Sequence, residues 1–183
     1  MKLAAVIIDS RPLPEGTIER HMKYLPECEL LHLALFQIDS IDNYNTLLTS
    51  AKLWESLLKF DRVLIFQHDS GLLTTGLEEF YSWDYIGAPW AFQDYGGNGG
   101  LSLRNPKIMH KICSEKKFVK SIHNNEDIFF SHYVMHYGNL APRGECEKFS
   151  VESIYKLGTL GYHAIDKWLS KEQCKTILNQ YAV

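Results

Sequence analysis

Residues 61–70 read Asp61-Arg62-Val63-Leu64-Ile65-Phe66-Gln67-His68-Asp69-Ser70, a short apolar run that stops at a cluster of polar side chains. Such a run, bounded by turn residues and lacking alternation, is the pattern of a strand buried on both faces. A second run of this kind lies upstream, from Leu3 to Ile8, and is closed by Asp9. Between the two, Ile18, Met22 and Leu25 fall at helical spacing after Pro14, and Leu30 to Phe36 reads as a strand or a buried helical turn. A polar loop from Asp39 to Asn45 then leads into a helix marked by Leu47, Ala51, Trp54 and Leu58, with Leu48 and Leu57 widening its apolar stripe. Strand, helix, strand, helix, strand in this order predicts an α/β fold with a mostly parallel central sheet flanked by helices and joined by right-handed crossovers.

Downstream the pattern is less regular. Trp83 to Trp90 is an aromatic segment around Gly87-Ala88-Pro89. Four of the 12 glycines, Gly96, Gly97, Gly99 and Gly100, then precede the alternating Leu101-Ser102-Leu103-Arg104. Asn105-Pro106 opens a helix, an N-cap followed by proline at the first helical position, with Ile108, Met109 and Ile112 as its apolar face. Ser114 to Asn125 is charged and aperiodic, which predicts a mobile loop. A further helix opens at Glu126-Asp127, where acidic residues suit the positive end of the dipole, and continues through Phe130, Val134 and Tyr137. Ser170 and Gln173 form a capping box before a last helix that carries Cys174, Ile177, Leu178 and Tyr181 on its buried face.

The chain has 183 residues, 45% of them hydrophobic and 22% charged, which argues against disorder and for a single compact domain. Nineteen Lys+Arg against 22 Asp+Glu give a net charge of −3. Without a long basic run, neither nucleic acid nor an anionic membrane is expected as a partner. No segment approaches the roughly 18 apolar residues that span a bilayer, and the N-terminal run is too short for a signal peptide. Cys28, Cys113, Cys146 and Cys174 are scattered, with no CxxC, as suits reduced thiols in a cytoplasmic protein.

Several residues have the chemistry of a site. Asp69 follows the C-terminal end of a buried strand, where open α/β sheets bind ligands. A carboxylate there holds a divalent cation or a ribose, or with Ser70 it simply makes a turn. The glycine run either lets backbone approach a ligand closely or forms a flexible hairpin. Its spacing is neither GxGxxG before a helix nor a P-loop. Glu126-Asp127 offers a general base, or two acids placed only for the helix dipole. His163 lies in a glycine-flanked turn and is a metal-ligand or structural residue. His132 and His136 have the i, i+4 spacing of a metal pair but lack the Glu of HExxH.

These segments resemble, in order, a family of glycosyltransferase-like domains of largely unknown function. The stretches that carry the likeness are Tyr44-Asn45-Thr46-Leu47-Leu48, Val63 to Ser70, Trp83-Asp84-Tyr85-Ile86-Gly87-Ala88-Pro89-Trp90, Gly97-Asn98-Gly99-Gly100-Leu101-Ser102-Leu103-Arg104, Asn125-Glu126-Asp127-Ile128-Phe129-Phe130, Phe149-Ser150-Val151-Glu152 and Gly161-Tyr162-His163. The resemblance implies a GT-A-like, Rossmann-like domain that takes a nucleotide-sugar donor, a UDP-sugar being favoured, and a glycan or lipid-linked acceptor. It implies that Asp69 is the remnant of a DxD element, with Gln67 in place of the first carboxylate, and that Asp69 and His163 hold Mn²⁺ or Mg²⁺. Asp127 would be the base of an inverting reaction, and Glu126 would position hydroxyls. Gly99, Gly100 and Ser102 would lie by the donor sugar, and Ser10, Arg11, Asn45 and Ser70 on the nucleotide side.

The cation would stabilise charge on the departing diphosphate, and Asp127 would take the acceptor proton. Trp83, Trp90, Phe92 and Tyr95 are stacking surfaces for sugar or ordinary core residues. Acceptor choice would fall to the Ser114 to Asn125 loop, the aromatic segment or a partner chain, a homo-oligomer included. Two other readings follow from the same residues. One is a binding module that holds a sugar nucleotide or glycan without catalysis. The other is a phosphoesterase using His68, Asp69 and His163, for which a two-metal site lacks ligands.

Overall fold

Val63, Leu64, Ile65 and Phe66 are fully buried and form strand β3 (Arg62–Phe66). In the computed structural model the described residues are 1–33, 38 and 40–182. Strand β1 (Leu3–Ile7) lies parallel to β3, with Val6 level with Ile65. Its other edge takes β2 (Glu29–His32), also parallel. The part of the expected second strand beyond Leu33 lies outside the described residues. Strands β5 (Tyr85–Gly87) and β6 (Leu101–Arg104) complete a five-stranded sheet of order β2-β1-β3-β6-β5.

This sheet is mixed rather than purely parallel: β6 runs antiparallel to both β3 and β5, while the other four strands share one direction. A parallel pair needs a long crossover, usually a helix. The link from β5 to β6 contains only the aromatic and glycine-rich loop, so β6 doubles back. The reversal has a direct effect on the site. The end of β3 meets the start of β6, with Phe66 opposite Leu101, and so Gln67 to Asp69 emerge beside Gly99 and Gly100.

A second sheet of three short strands, β4 (Ser70–Leu72), β7 (Ser150–Val151) and β8 (Gly161–His163), has the order β4-β8-β7. It sets Ser70 opposite His163 across 93 residues of sequence.

Successive strand residues feed opposite faces. Ala4, Val6, Val63 and Ile65 pack with Trp54, Met109, Ile112, Phe129, Phe130 and Val134, while Ala5, Ile7, Leu64, Phe66 and Leu103 pack with Phe80, Phe149 and Leu160. Each large apolar side chain fully buried in this way contributes about 1.5–3 kcal/mol. Two covered faces explain why the strands read as unbroken apolar runs.

The helices are α1 (Glu19–Met22), α2 (Ile41–Leu48), α3 (Ala51–Ser56), α4 (Pro106–Glu115), α5 (Lys120–His123), α6 (Glu126–Tyr137), α7 (Arg143–Phe149) and α8 (Lys171–Asn179). Two expectations change. The helix expected from Leu47 to Leu58 is two helices, broken where the Thr49 hydroxyl donates to the Asn45 carbonyl, and α2 begins inside the expected loop, capped by Ser40. The expected loop at Ser114 to Asn125 contains α5. Asn105 and the Ser170–Gln173 box cap α4 and α8 as expected, although Leu178 and Tyr181 of the last helical segment are exposed. All four cysteines are free. Among the described residues, no helix is long and apolar enough to cross a membrane.

Candidate functional site

A cleft of about 510 Å³ opens over the C-terminal ends of β1 and β3, bounded by α2, the glycine run, the first turn of α6 and the turn after β8. Its base is a polar cluster around His163. The ring Nε2 lies 3.0 Å from Gln67 Oε1 and 3.4 Å from Asp69 Oδ1, and Nδ1 lies 3.2 Å from Glu152 Oε1. Burial alone would push the His163 pKa down, but the Asp69 and Glu152 carboxylates more than offset it and the pKa is raised. Asp69 Oδ2 accepts from the Lys167 ammonium at 2.8 Å. Burial opposes ionisation of Asp69, yet His163 and Lys167 hold its carboxyl far below the usual range.

The backbone builds this cluster. Ala164 donates its N–H to the Asp69 carbonyl at 2.9 Å and takes a left-handed φ of 48°. That turn starts the short 3₁₀ segment Ile165–Lys167, which carries Lys167 to Asp69.

The glycine run forms the next wall. A Cβ on Gly100 would strike the His163 ring, and one on Gly99 would strike the Glu126 carboxylate and the Arg104 guanidinium. Neither has a positive φ, so close approach to the site's own side chains is what requires glycine here. Asn98 Oδ1 accepts from Gly100 N at 2.7 Å, and Tyr85 donates to the Gly97 carbonyl at 2.8 Å.

Asp127 lines the cleft next to this wall. Its Oδ2 accepts from Gly99 N at 3.2 Å and its Oδ1 from Ile128 N at 2.8 Å. Burial and then the neighbouring Glu126 charge raise its pKa to about 7, against the opposing pull of those two amides and Arg104. Gly99 thus adjoins Asp127 and Gly100 adjoins the His163–Asp69 cluster, two carboxyl groups whose pKa values are shifted in opposite directions. A carboxyl that ionises near neutrality is suited to general base chemistry.

Of the residues expected at the site, Arg11, Asn45, Asp69, Gly99, Gly100, Glu126, Asp127 and His163 line this cleft. Arg11 is paired with Asp9, at 2.9 and 2.8 Å. Asn45 accepts from Glu126 N at 2.9 Å, so α6 is capped from α2, while the Asn125 side chain makes no capping hydrogen bond. Glu126 lines the cleft, and Arg104 bonds both its oxygens, which takes part of their acceptor capacity.

Three other expected residues sit elsewhere. Ser10 is exposed and its hydroxyl bonds the Ile38 backbone. Ser70 is buried, hydrogen-bonded to Gln67 and to His21 Nε2. Ser102 is buried beneath the glycine run, where it donates to the Gly99 carbonyl and accepts from Arg104 Nε. The aromatic segment also stands apart from the cleft lining: Phe92 stacks on Trp90 with ring centroids 5.3 Å apart. His132 and His136 are exposed neighbours on α6.

Sequence reasoning missed Asp9, Asn98, Arg104, Glu152 and Lys167 as members of this network, and noted Gln67 only as standing where a first carboxylate was expected. Asp9 had a legible signal, because it ends β1 as the His68-Asp69 pair ends β3. Arg104, a charge closing an apolar strand, had a weaker one. Among the described residues, no group of three or more His, Cys, Asp or Glu side chains is placed to hold a metal ion.

One family model matches residues 27–163, that of the family described as "Protein of unknown function (DUF5672)". No curated protein matches the chain. Among solved structures, A197 from STIV is 11% identical over 78% of this chain and 83% of that one, with a TM-score of 0.48. The apo-form glycosyltransferase GlyE of Streptococcus pneumoniae TIGR4 is 13% identical over 93% of this chain, with a TM-score of 0.46. The match spans 55% of the GlyE chain. Both likenesses are distant.

Proposed function

Taking as premise that the chain belongs to the DUF5672 family, we propose that it is a glycosyltransferase. It would move a sugar from a nucleoside diphosphate, with a UDP-sugar the favoured donor, to a hydroxyl of a glycan or lipid-linked acceptor. One observation carries this reading: Asp69, Gly99, Gly100, Asp127 and His163, singled out separately along the sequence, converge on one cleft. The raised pKa of Asp127 supports its role.

In this reading the acceptor oxygen attacks the anomeric carbon and its proton passes to Asp127. The bond from that carbon to the diphosphate oxygen breaks, and the electron pair leaves with the diphosphate. Attack from the side opposite the leaving group inverts the anomeric configuration. Arg104 holds Glu126, while burial, and after it the Glu126 charge, keep the pKa of Asp127 high.

The divalent cation implied by the sequence resemblance does not fit the residues present. Asp69 and His163 supply two donors, one Asp69 oxygen is occupied by Lys167, and both His163 nitrogens already face acceptors. No step is therefore routed through a metal. The same incomplete donor set favours a second reading, a sugar-nucleotide or glycan binding module without catalysis.

A panel of nucleotide-sugars, assayed for transfer and for donor hydrolysis with and without Mn²⁺, separates the two. The first reading expects turnover that Asp127→Asn lowers by about 10²–10⁴-fold while donor binding persists. Binding without turnover across the panel supports the second, and turnover that survives Asp127→Asn removes Asp127 as the base.

A further inference from the structure

Asp69 already carries a cation. The Lys167 ammonium is 2.8 Å from Asp69 Oδ2, and its side chain lines the cleft while 59% exposed. An ammonium has three N–H donors, and the contact with Asp69 takes one of them. The position is set by more than a flexible side chain. The left-handed Ala164 and its hydrogen bond to the Asp69 carbonyl fix where the Ile165–Lys167 turn begins. Ala164 is itself buried, so that start is held in place.

Arg11 and Glu126, two other charged groups lining the cleft, are already paired, Arg11 with Asp9 and Glu126 with Arg104. His163 sits among Gln67, Asp69 and Glu152, with an acceptor against each ring nitrogen. A divalent ion binding Asp69 through both its oxygens would have to displace Lys167, and one binding His163 would need a free nitrogen lone pair, whereas each ring nitrogen faces an acceptor oxygen to which its N–H would donate. Lys167 and Arg11 both keep N–H donors beyond those that their carboxylate partners take, and Lys167 is the one set on Asp69, beside His163.

Resting on the glycosyltransferase reading, we propose that Lys167, steadied by Asp69, binds the donor diphosphate in this cleft where a divalent metal ion would otherwise be needed. As the bond from the anomeric carbon to the phosphate oxygen breaks, the electron pair moves to the diphosphate, and the ammonium offsets the added charge by hydrogen bonds to phosphate oxygens. Lys167 gives up no proton. The acceptor proton goes to Asp127, so charge and atoms balance without a co-reactant.

The test is calorimetric titration of the full chain in EDTA with UDP, GDP and inorganic pyrophosphate, repeated with Mn²⁺ or Mg²⁺. The expected result is diphosphate binding in EDTA, weakened about tenfold by Lys167→Gln, the size of one charge-assisted hydrogen bond. Lys167→Arg should restore part of the loss, and Lys175→Gln, at a different surface, should have no effect. Thermal unfolding of each variant checks that the fold is intact. Binding that appears only with the metal ion, or that Lys167→Gln leaves unchanged, overturns the proposal while the glycosyltransferase reading survives. Absence of binding by all three probes, with and without metal, overturns both.

Discussion

Arg104 holds both oxygens of Glu126, with Nη1 2.7 Å from Oε2 and Nη2 3.0 Å from Oε1, and its guanidinium is wholly buried. Tyr85 and Phe130 face the same guanidinium at 5.0 and 5.3 Å. A buried ion pair adds little stability by its presence, but removing one partner strands the other charge. Glu126→Gln is therefore expected to destabilise the fold by about 3–5 kcal/mol in urea denaturation. Replacing both residues by apolar ones of similar volume should cost less than the single change. Unaltered stability together with lost turnover would instead return Glu126 to a direct role in binding hydroxyls.

Asp127 governs two pH profiles. As the base, it works in its ionised form, so turnover should rise with pH through about 7 and then level off. Stability runs the other way. The folded pKa lies above the ordinary carboxylate value of 3.8, so the folded state holds its proton longer than the unfolded chain does. This group's contribution is full below about pH 3.8, declines as pH rises toward about 7, and is gone above it. Denaturation midpoints of Asp127→Asn and the unaltered chain should diverge across that window in favour of the variant. A constant difference from pH 4 to 8 would show that the carboxyl titrates normally.

The two glycines that adjoin Asp127 and the His163–Asp69 cluster have no room for a methyl group. Gly100→Ala must displace the His163 ring, and Gly99→Ala the Arg104–Glu126 pair. Overpacking of this kind costs about 1–3 kcal/mol, and nucleotide binding should weaken in both variants. Gly144 provides the control, since a Cβ there meets nothing within 4 Å. It lies inside α7, so Gly144→Ala should stabilise by about 0.5–1 kcal/mol.

His21 tests the support beneath the cleft. Its ring lies 4.2 Å from that of Phe66, Nδ1 is 2.8 Å from the Thr17 carbonyl, and Nε2 is 2.9 Å from Ser70 Oγ. Burial lowers its pKa from 6.5 to about 4. The unfolded chain therefore takes up a proton here first, and stability is lost as pH falls from about 6.5 to about 4. A His21→Gln variant should lack that increment, measured as the change in unfolding free energy between pH 7 and 5. An equal change in both proteins would mean the ring titrates as if exposed.

The strands and part of the candidate cleft were legible for a shared reason. β1 and β3 are covered on both faces, which leaves unbroken apolar runs, and ligand sites in such sheets open where those runs end. Asp69 and the glycine run could be picked out on that basis. Strand direction was not legible, because whether β6 runs parallel or antiparallel depends on which neighbour the chain meets after a loop. The serines show a second limit. Ser70 and Ser102 fall at the right places along the chain, yet the pleat turns both hydroxyls into the interior, where His21 and Arg104 use them. Lys167 shows a third. It acts through a left-handed Ala164, a conformation that no local signal announces because alanine rarely adopts it.

The place of β1 also sets the smallest piece of this chain that can be expected to work. The family match covers residues 27–163, yet β1 is the strand between β2 and β3. A recombinant fragment trimmed to the matched residues would keep Asp69, Asp127 and His163 and discard that strand. β2 would then lose the neighbour it pairs with, and β3 one of its two. The same cut would remove Asp9 and Arg11 from one rim and Lys167 from the other. Such a fragment would hold most of the recognisable motifs and have neither a continuous sheet nor a cationic rim.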